Sequence, residues 1–249
     1  MKIASYNLNG IRAANKLNFM EWIKRFDADI YCFQEVRAGR EICTEILKDC
    51  GYEVICNCGE RAGYSGTITL TKIKPDKIEC GINQSDIEGR TITLYFGNTV
   101  IINSYVPNGT KRLDYKLSYF EQLTKYVTEL KKQYSVILCS DTNIAHTQLD
   151  VSHPKVCGRQ SGYLPIEREK MTELLSRGFA DAFRELNPNK QAYSWRSYRS
   201  RKIGGNFGWK FRYDYIIVDK NTMSKVKSAE ILELEYSDHL PIVLEIEIL

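Results

Sequence analysis

The plan of this chain is set by the segment Ser135-Val136-Ile137-Leu138-Cys139-Ser140-Asp141-Thr142-Asn143. Apolar residues run directly into a polar cluster, a pattern that predicts a buried strand followed by a turn. Asp141 and Asn143 then follow the strand at its carboxyl end, where side chains of α/β proteins can face a substrate while the backbone stays fixed. Asp and Asn are also common turn formers. The segment therefore predicts either an ordinary turn or a site of chemistry, and the rest of the chain must decide between them.

Length and composition indicate one folded domain, residues 1–249. Of the 249 residues, 43% are hydrophobic and 27% are charged, as is usual for a globular protein with a sizeable core. The apolar start of the chain turns polar at Asn7, too early for a signal peptide, and no window approaches the roughly 18 consecutive apolar residues of a membrane span. We therefore expect a cytoplasmic protein without membrane contact. Its eight cysteines are expected to be reduced, and their spacing matches no zinc ribbon.

The order of predicted elements favours mixed sheets with helices outside them. Strands are predicted at residues 2–8, 28–33, 52–56, 66–71, 91–96, 99–104, 135–139, 213–218 and 242–248. Helices are predicted around residues 19–26, 41–50, 113–130 and 166–177, and residues 144–164 form a long loop. Strands and helices do not alternate strictly, which argues against a doubly wound Rossmann layout. No G-x-G-x-x-G or P-loop pattern is present, so we expect no dinucleotide cofactor.

Polar side chains recur where the predicted strands end. They are Asn7, Asn9, Glu35, Tyr105, Asn108, Asp141, Asn143, Asp214 and Asp238, and His239 follows at the mouth of the last strand. A lone histidine there is usually a surface or capping residue. If the carboxylates converge, however, they raise one another's pKa unless a cation neutralises them. Oxygen ligands without a cysteine set favour Mg²⁺ or Mn²⁺ over zinc, and such an ion beside a carboxylate and a histidine suits phosphodiester hydrolysis.

Positive charge is concentrated in residues 192–213. This window holds six of the 35 basic residues and none of the 31 acidic ones, and aromatic residues are interleaved with the basic ones. Basic side chains bind phosphates and aromatic rings stack on bases, so the window predicts DNA binding. An exposed charged loop with core aromatic residues is the structural alternative. The residues predicted to bind DNA here are Trp195, Arg196, Tyr198, Arg199, Trp209, Lys210 and Arg212.

Seven ordered motifs resemble those of the exonuclease III family of abasic-site DNA endonucleases. They are Ser5-Tyr6-Asn7-Leu8-Asn9-Gly10, Phe33-Gln34-Glu35, Gly63-Tyr64-Ser65-Gly66, Asp86-Ile87-Glu88-Gly89-Arg90, Tyr105-Val106-Pro107-Asn108-Gly109, Asp141-Thr142-Asn143-Ile144-Ala145-His146 and Ser237-Asp238-His239-Leu240-Pro241. Residues 149–155 and 162–168 resemble the branch that acts on DNA more than the relatives that cleave phosphoinositides or sphingomyelin. The resemblance implies a four-layer α/β sandwich of two mixed β-sheets flanked by helices.

The resemblance also implies an activity. The chain is expected to be a Mg²⁺-dependent DNA repair nuclease, with Mn²⁺ as an alternative ion. It would hydrolyse the phosphodiester 5′ to abasic sites in double-stranded DNA and act as a monomer. A 3′-to-5′ exonuclease or 3′-end processing activity would accompany this reaction.

Residue roles are implied position by position. Glu35 would be the main metal ligand, with Asn9 and Asp238 near the ion. Asp141 would hold or deprotonate the attacking water, with Asn7 and Asn143 orienting it and the phosphate. Asp214 would pair with His239, Tyr105 and Asn108 would contact the scissile phosphate, and Trp195 and Trp209 would wall the pocket for a flipped abasic sugar.

The chain also departs from the family pattern. The usual Gly-Trp-Arg-x-Asp-Tyr motif is read as residues 208–215, two residues longer than expected. Either the strand of Asp214 is bulged, or Phe211 or Tyr213 rebuilds the pocket wall. Arg196 also replaces a common aromatic residue. The alternatives are therefore a lesion-independent nuclease or phosphatase on the same fold and, with least support, a non-catalytic DNA-binding protein.

Overall fold

A computed structural model describes residues 1–82, 86–197 and 208–248 of the chain, and within them two six-stranded sheets form the middle of the molecule. Strands are numbered in chain order. The first sheet contains, in spatial order, Val226–Ile231 (β13), Ile242–Ile246 (β14), Lys2–Asn7 (β1), Ile30–Gln34 (β2), Thr67–Thr71 (β4) and Glu53–Asn57 (β3). β1 and β2 are parallel and the other neighbours in this sheet are antiparallel. The first sheet is therefore mixed, as predicted.

The second sheet has the same size and the same mixed character. Its spatial order is Lys77–Cys80 (β5), Thr91–Phe96 (β6), Thr99–Tyr105 (β7), Ser135–Asp141 (β8), Asp214–Asp219 (β12) and Phe179–Asp181 (β9). β7 and β8 are parallel, while the other pairs are antiparallel. Trp195–Arg196 (β10) and Lys210–Phe211 (β11) form a separate short ladder. The hairpin predicted across residues 97–98 is confirmed as β6 and β7.

Helices cover the outer faces of both sheets. Ile11–Lys16 (α1), Phe19–Phe26 (α2) and Arg40–Leu47 (α3) pack on the first sheet, and Leu113–Leu130 (α4) and Pro165–Ser176 (α6) pack on the second. The short helices are Pro154–Cys157 (α5), Ala182–Leu186 (α7), Lys220–Met223 (α8) and a 3₁₀ turn at Gln148–Asp150. The predicted four-layer α/β sandwich is confirmed. Among the described residues, no helix combines the length and the apolar character needed to cross a membrane.

Three apolar layers hold the sandwich together. Between the sheets, Ile3 of β1 and Ile137 of β8 are fully buried or nearly so. The predicted amphipathic face of α4 packs against the strand of Val136, with Phe120 and Leu123 in the same cluster. Burying one such side chain contributes about 1.5–3 kcal/mol. These clusters keep β1 and β8 rigid behind the residues that follow them.

Strand register brings the predicted site residues to one edge. Because β1 is parallel to β2 and β7 is parallel to β8, each pair ends at one edge of its own sheet. The 2.7 Å bond from Asn7 to Asp141 shows that these two edges adjoin. In the second sheet Tyr105, Asp141 and Asp214 are direct neighbours across three adjacent strands. In the first sheet Asn7 lies opposite Gln34, one residue before Glu35.

Candidate active site

Asp141 lies at the centre of the strand-end cluster. The residue is 1% exposed, and its carboxylate is held from two sides. The Asn7 side chain donates to Oδ2 at 2.7 Å, and the backbone N–H of Asn143 donates to Oδ1 at 2.8 Å. These bonds fix one orientation of the carboxylate that the family resemblance links to the attacking water.

His239 connects two buried aspartates. Its Nδ1 lies 2.9 Å from Oδ2 of Asp214, and its Nε2 lies 4.0 Å from Oδ2 of Asp141. Ligand atoms of the three side chains all lie within 4.8 Å of one another, a spacing that a metal ion could also use. Because Nδ1 already pairs with Asp214, Nε2 is the ring nitrogen left toward Asp141 and the cavity. The arrangement is that of a histidine oriented by a carboxylate.

Burial and neighbouring charges shift both titrating groups. Burial, reinforced by the charge of Asp214, raises the pKa of Asp141 to about 7, although His239 and two hydrogen bonds oppose the shift. Burial alone would lower the pKa of His239, but the charge and hydrogen bond of Asp214 outweigh it and raise the pKa to about 10. A carboxyl group with a pKa near neutrality can take up or release a proton at little cost. A charged imidazole beside it can stabilise a developing negative charge.

A second group of oxygen donors adjoins the first. Asn7 links the two groups, because its Nδ2 also donates to Oε2 of Glu35 at 3.0 Å. Asn9 donates to Oδ1 of Asp238 at 2.8 Å, and Trp195 Nε1 donates to the other carboxylate oxygen at 3.0 Å. Two carboxylates and a carboxamide thus line one cavity. Such hard oxygen donors fit Mg²⁺ or Mn²⁺.

Three of the residues in these two groups have a left-handed backbone. The φ angles of Asn9, Glu35 and Asn143 are 48°, 53° and 51°. Non-glycine residues rarely adopt this conformation, and it costs of order 1 kcal/mol or more. The surrounding hydrogen bonds therefore hold these side chains in place against a local cost, as is common at functional sites.

Tyr105 and Asn108 supply neutral polar groups on the same side. The guanidinium of Arg90 lies 4.8 Å from the centre of the Tyr105 ring. Burial, with the charges of Glu35 and Asp141, raises the pKa of Tyr105 well above its usual value, so the phenol stays protonated. Asn108 Nδ2 donates to Oδ1 of Asn143 at 3.2 Å. Both residues line the cavity, where they can donate to an anionic substrate.

The cavity has a volume of about 830 Å³ and one aromatic wall. Four rings contribute to it, those of Trp195, Trp209, Phe211 and Tyr213. Phe211 and Tyr213 stack with centroids 4.9 Å apart and a 14° angle between their planes. The Trp195 ring lies 5.6 Å from that of Tyr213 and 5.8 Å from that of Phe211. Acidic groups and a rigid apolar surface therefore share one opening.

The structure decides between the two interpretations of residues 208–215. β12 begins at Asp214 and follows β8 in continuous register, without a bulge along its length. Phe211, three residues before Asp214, pairs with Trp195 across the short ladder. Phe211 and Trp209 both line the cavity, and Trp209 is 39% exposed. Of the two interpretations of this segment, the rebuilt pocket wall is therefore the one that remains.

Arg212 does not lie on a DNA-binding surface, so this prediction was wrong. It is 1% exposed, and its guanidinium donates to Oδ1 of Asp150 at 2.7 Å and to Oδ2 of Asp181 at 2.6 Å. A buried guanidinium is tolerated when carboxylates pair with it in this way. Arg212 therefore belongs to the core beneath the aromatic wall.

The other residues of the basic window occupy different places. Lys210 is partly exposed beside Trp209. Arg196 pairs with Glu233, with Nη2 2.8 Å from Oε2. Tyr198 and Arg199 lie outside the described residues. DNA binding by these four residues therefore stays a prediction.

Several cavity residues were missed in the sequence. Arg37 donates through Nε and Nη2 to Oε1 of Glu35, at 3.1 and 2.5 Å, and its side chain is 43% exposed. Arg159, Gln160 and Ser161 also line the cavity. No periodicity or motif marked them, because they enter the site from an irregular segment that the sequence predicts only as a loop.

Comparisons with known proteins agree with this geometry. The sequence profile of the Endonuclease/Exonuclease/phosphatase family matches residues 4–239. The chain is 38% identical to an exodeoxyribonuclease of Bacillus subtilis, over the full length of both proteins. It is 34% identical to the DNA repair nuclease APEX1 of Danio rerio, over 98% of this chain and 81% of that one.

A solved structure gives the same result. The fold superposes on an AP endonuclease from Archaeoglobus fulgidus with a TM-score of 0.86 and 25% identity, over the whole of both chains. These matches cover the entire sandwich as well as the residues at the strand ends. The chain therefore belongs to the endonuclease/exonuclease/phosphatase family, in its group of exodeoxyribonucleases and AP endonucleases.

Proposed function

We propose that this enzyme is a Mg²⁺-dependent DNA repair nuclease that hydrolyses the phosphodiester 5′ to abasic sites in duplex DNA. One observation carries the proposal. The paired groups of Asp141 and His239 open into the same cavity as the carboxylates of Glu35 and Asp238, beside a wall of aromatic rings. Hydrolysis requires the carboxylates and the histidine, and recognition of a missing base requires the aromatic wall.

The attacking water would be handled by Asp141. Its carboxylate is oriented by Asn7 and by the backbone of Asn143, and its raised pKa suits it to accept a proton from water. His239, held by Asp214, would donate from Nε2 to a phosphoryl oxygen. Charge would thus be stabilised where it develops.

A divalent cation would be held by Glu35, Asp238 and Asn9. Their oxygen donors suit Mg²⁺, with Mn²⁺ as a substitute. When bound, the ion supplies Lewis-acid stabilisation of the phosphoryl and leaving oxygens. The Tyr105 phenol and the Asn108 amide would orient the phosphate from the other side of the cavity.

Lesion recognition would depend on the aromatic wall. A sugar without a base can enter a notch between rings and carboxylates, whereas a normal nucleotide must also be unstacked and unpaired, at a cost of a few kcal/mol. Trp209, Lys210 and Arg196 would contact the duplex around the lesion. The enzyme would act as a monomer. The names of the Bacillus and Danio relatives, an exodeoxyribonuclease and a DNA repair nuclease, support a DNA substrate.

The proposal is tested with a 5′-labelled duplex that carries one abasic analogue. With Mg²⁺ we expect a single cut immediately 5′ to the analogue, leaving a 3′-hydroxyl that a polymerase extends. Chelator should abolish the cut, and Glu35→Gln should raise the Mg²⁺ concentration required for it. Glu45→Gln, on an exposed surface, is the matched control. A 3′-phosphate product, or cutting that chelator leaves unchanged, would reject the mechanism.

A further inference from the structure

A buried ion pair lies directly behind the site. Lys116 of α4 and Glu167 of α6 both have fully buried side chains, and their Nζ and Oε1 atoms are 2.5 Å apart. The same Nζ donates to the backbone carbonyl of Asn143 at 2.6 Å. A buried charge is costly unless it is paired and hydrogen-bonded, so this contact is a specific one.

The Lys116 contact completes the restraint on Asn143. The N–H of this residue donates to Asp141, and its side chain donates to the carbonyl of Val106 at 2.9 Å. Its φ of 51° is left-handed, a conformation that asparagine tolerates better than most non-glycine residues, and bonds on both sides of the residue hold it there. Lys116 supplies the bond on the carbonyl side.

Glu167 fixes a second segment of the cavity lining, that of Ser161. Its Oε2 accepts the backbone N–H of Gly162 at 2.6 Å and that of Leu164 at 2.9 Å, while Oε1 accepts from the Ser161 hydroxyl at 3.3 Å. Ser161 lines the cavity. The bond to Leu164 also closes the first turn of α6, which is a purely structural use of the same carboxylate.

The segment of Asn108 packs on the same pair. A Cβ added at Gly109 would lie 2.9 Å from Cδ of Lys116, 3.1 Å from Oε1 of Glu167 and 2.7 Å from Oγ of Ser161. Contacts this short force something to shift. Three segments that line the cavity, at residues 108–109, 143 and 161–164, therefore meet on one buried ion pair.

We propose that Lys116 is a positioning residue for the hydrolytic reaction, acting through Asn143 on Asp141, and that Glu167 positions the segment of Ser161 through the same pair. The inference rests on the proposed function. Replacing a buried ion pair by neutral residues of similar size is often nearly neutral for stability. An ion pair kept for placement of the site should therefore be dispensable for folding and important for turnover.

The test removes both charges together, as Lys116→Met with Glu167→Gln. Glutamine keeps an acceptor for Gly162 and Leu164 while the bond to Asn143 is lost. We expect kcat on an abasic duplex to fall about 10- to 100-fold, because a misplacement of about 1 Å costs this much. KM and the melting temperature should change little. The control is Lys170→Met. Nζ of Lys170 on α6 lies 3.6 Å from Oε2 of Glu121 on α4, so this variant removes a partly exposed ion pair between the same two helices.

Different results would contradict the positioning role of Lys116 and the proposed function. If the wild type cuts no abasic duplex, the proposed function fails. If the wild type cuts and the double variant retains kcat within twofold, the positioning role is overturned. A fall in kcat that only follows a fall in melting temperature overturns it as well.

A second variant decides the case if the double variant does not fold. Gly109→Ala keeps both charges but pushes on the Lys116 stem, so we expect a several-fold loss of kcat with an intact fold. Unchanged turnover in Gly109→Ala would then contradict the inference.

Discussion

Nδ1 of His239 lies 2.9 Å from Oδ2 of Asp214, and both side chains are buried. Asp214 begins β12 of the second sheet, and His239 lies in the segment that leads into β14 of the first sheet. Closing the sandwich therefore builds the pair. The bond fixes which ring nitrogen faces Asp141, so the pair is a direct probe of whether the site works as proposed.

Asp214→Asn is expected to lower turnover strongly without removing DNA binding. The amide keeps the shape but stabilises the wrong tautomer and no longer stabilises an imidazolium, a change that costs up to about 10⁴-fold in a histidine–carboxylate hydrolase. Single-turnover incision gives the rate, and fluorescence anisotropy gives the DNA affinity. Asp76→Asn, at the far end of the same sheet, should behave as wild type. A turnover within threefold of wild type in Asp214→Asn would contradict the assigned pairing.

Arg37→Ala is expected to strengthen cation binding. The guanidinium holds one oxygen of Glu35 at 2.5 Å and therefore competes with an ion for that carboxylate. Removing a partly exposed pair of this kind changes free energies by up to about 1 kcal/mol, so the Mn²⁺ affinity should rise a few-fold. Calorimetry on the DNA-free protein measures it, with Arg112→Ala as control. Weaker Mn²⁺ binding in Arg37→Ala would show that Arg37 supports the ion site.

Arg212 and Lys210 should give opposite phenotypes. Arg212→Met leaves Asp150 and Asp181 without their shared partner and should destabilise the fold by about 3–5 kcal/mol in urea unfolding. Lys210→Ala should leave stability unchanged and reduce the salt dependence of DNA binding by about one phosphate contact. A normal salt slope in Lys210→Ala would remove Lys210 from the interface.

Asp150 gives a prediction for acid stability. Burial alone would raise its pKa, but Arg212 and several hydrogen bonds lower it to about 2. A carboxylate with a depressed folded pKa stabilises the protein above its unfolded pKa and loses this effect as the pH falls. As the pH falls from about 5 to about 1, the wild type should lose about 2.5 kcal/mol from this group. Asp150→Asn should be less stable at neutral pH and lack this part of the acid limb. An unchanged acid limb would contradict the shift.

Central elements of the fold were predictable from local patterns. β8, the β6–β7 hairpin and α4 follow from apolar runs and periodicity, because buried central elements leave a strong signal. β5 and β13 were missed, since edge strands are partly exposed and mix polar with apolar residues. β10 and β11 have two residues each, and they are defined by pairing with each other and by single bridges to Val151 and His239.

The site residues divide in the same way, into those that a local motif marks and those that only the fold brings together. Asp141, His239 and Glu35 could be predicted because each belongs to a recognisable motif. Arg212 was assigned to DNA because its sequence neighbours are basic, yet its partners lie 62 and 31 residues away. Lys116 and Glu167, 51 residues apart, carry no local sign that they meet. Pairs of residues that meet only through tertiary packing could not be predicted from the sequence.

On the proposed function, the aromatic wall and the acidic cluster together select and cut DNA at a missing base. The most direct test of this function is the ratio of incision rates on one duplex with and without a single abasic analogue, at the same Mg²⁺ concentration. We expect a ratio of about a hundredfold or more in favour of the abasic duplex. Equal rates on the two duplexes, or release of phosphate from an inositol phosphate faster than either, would contradict it.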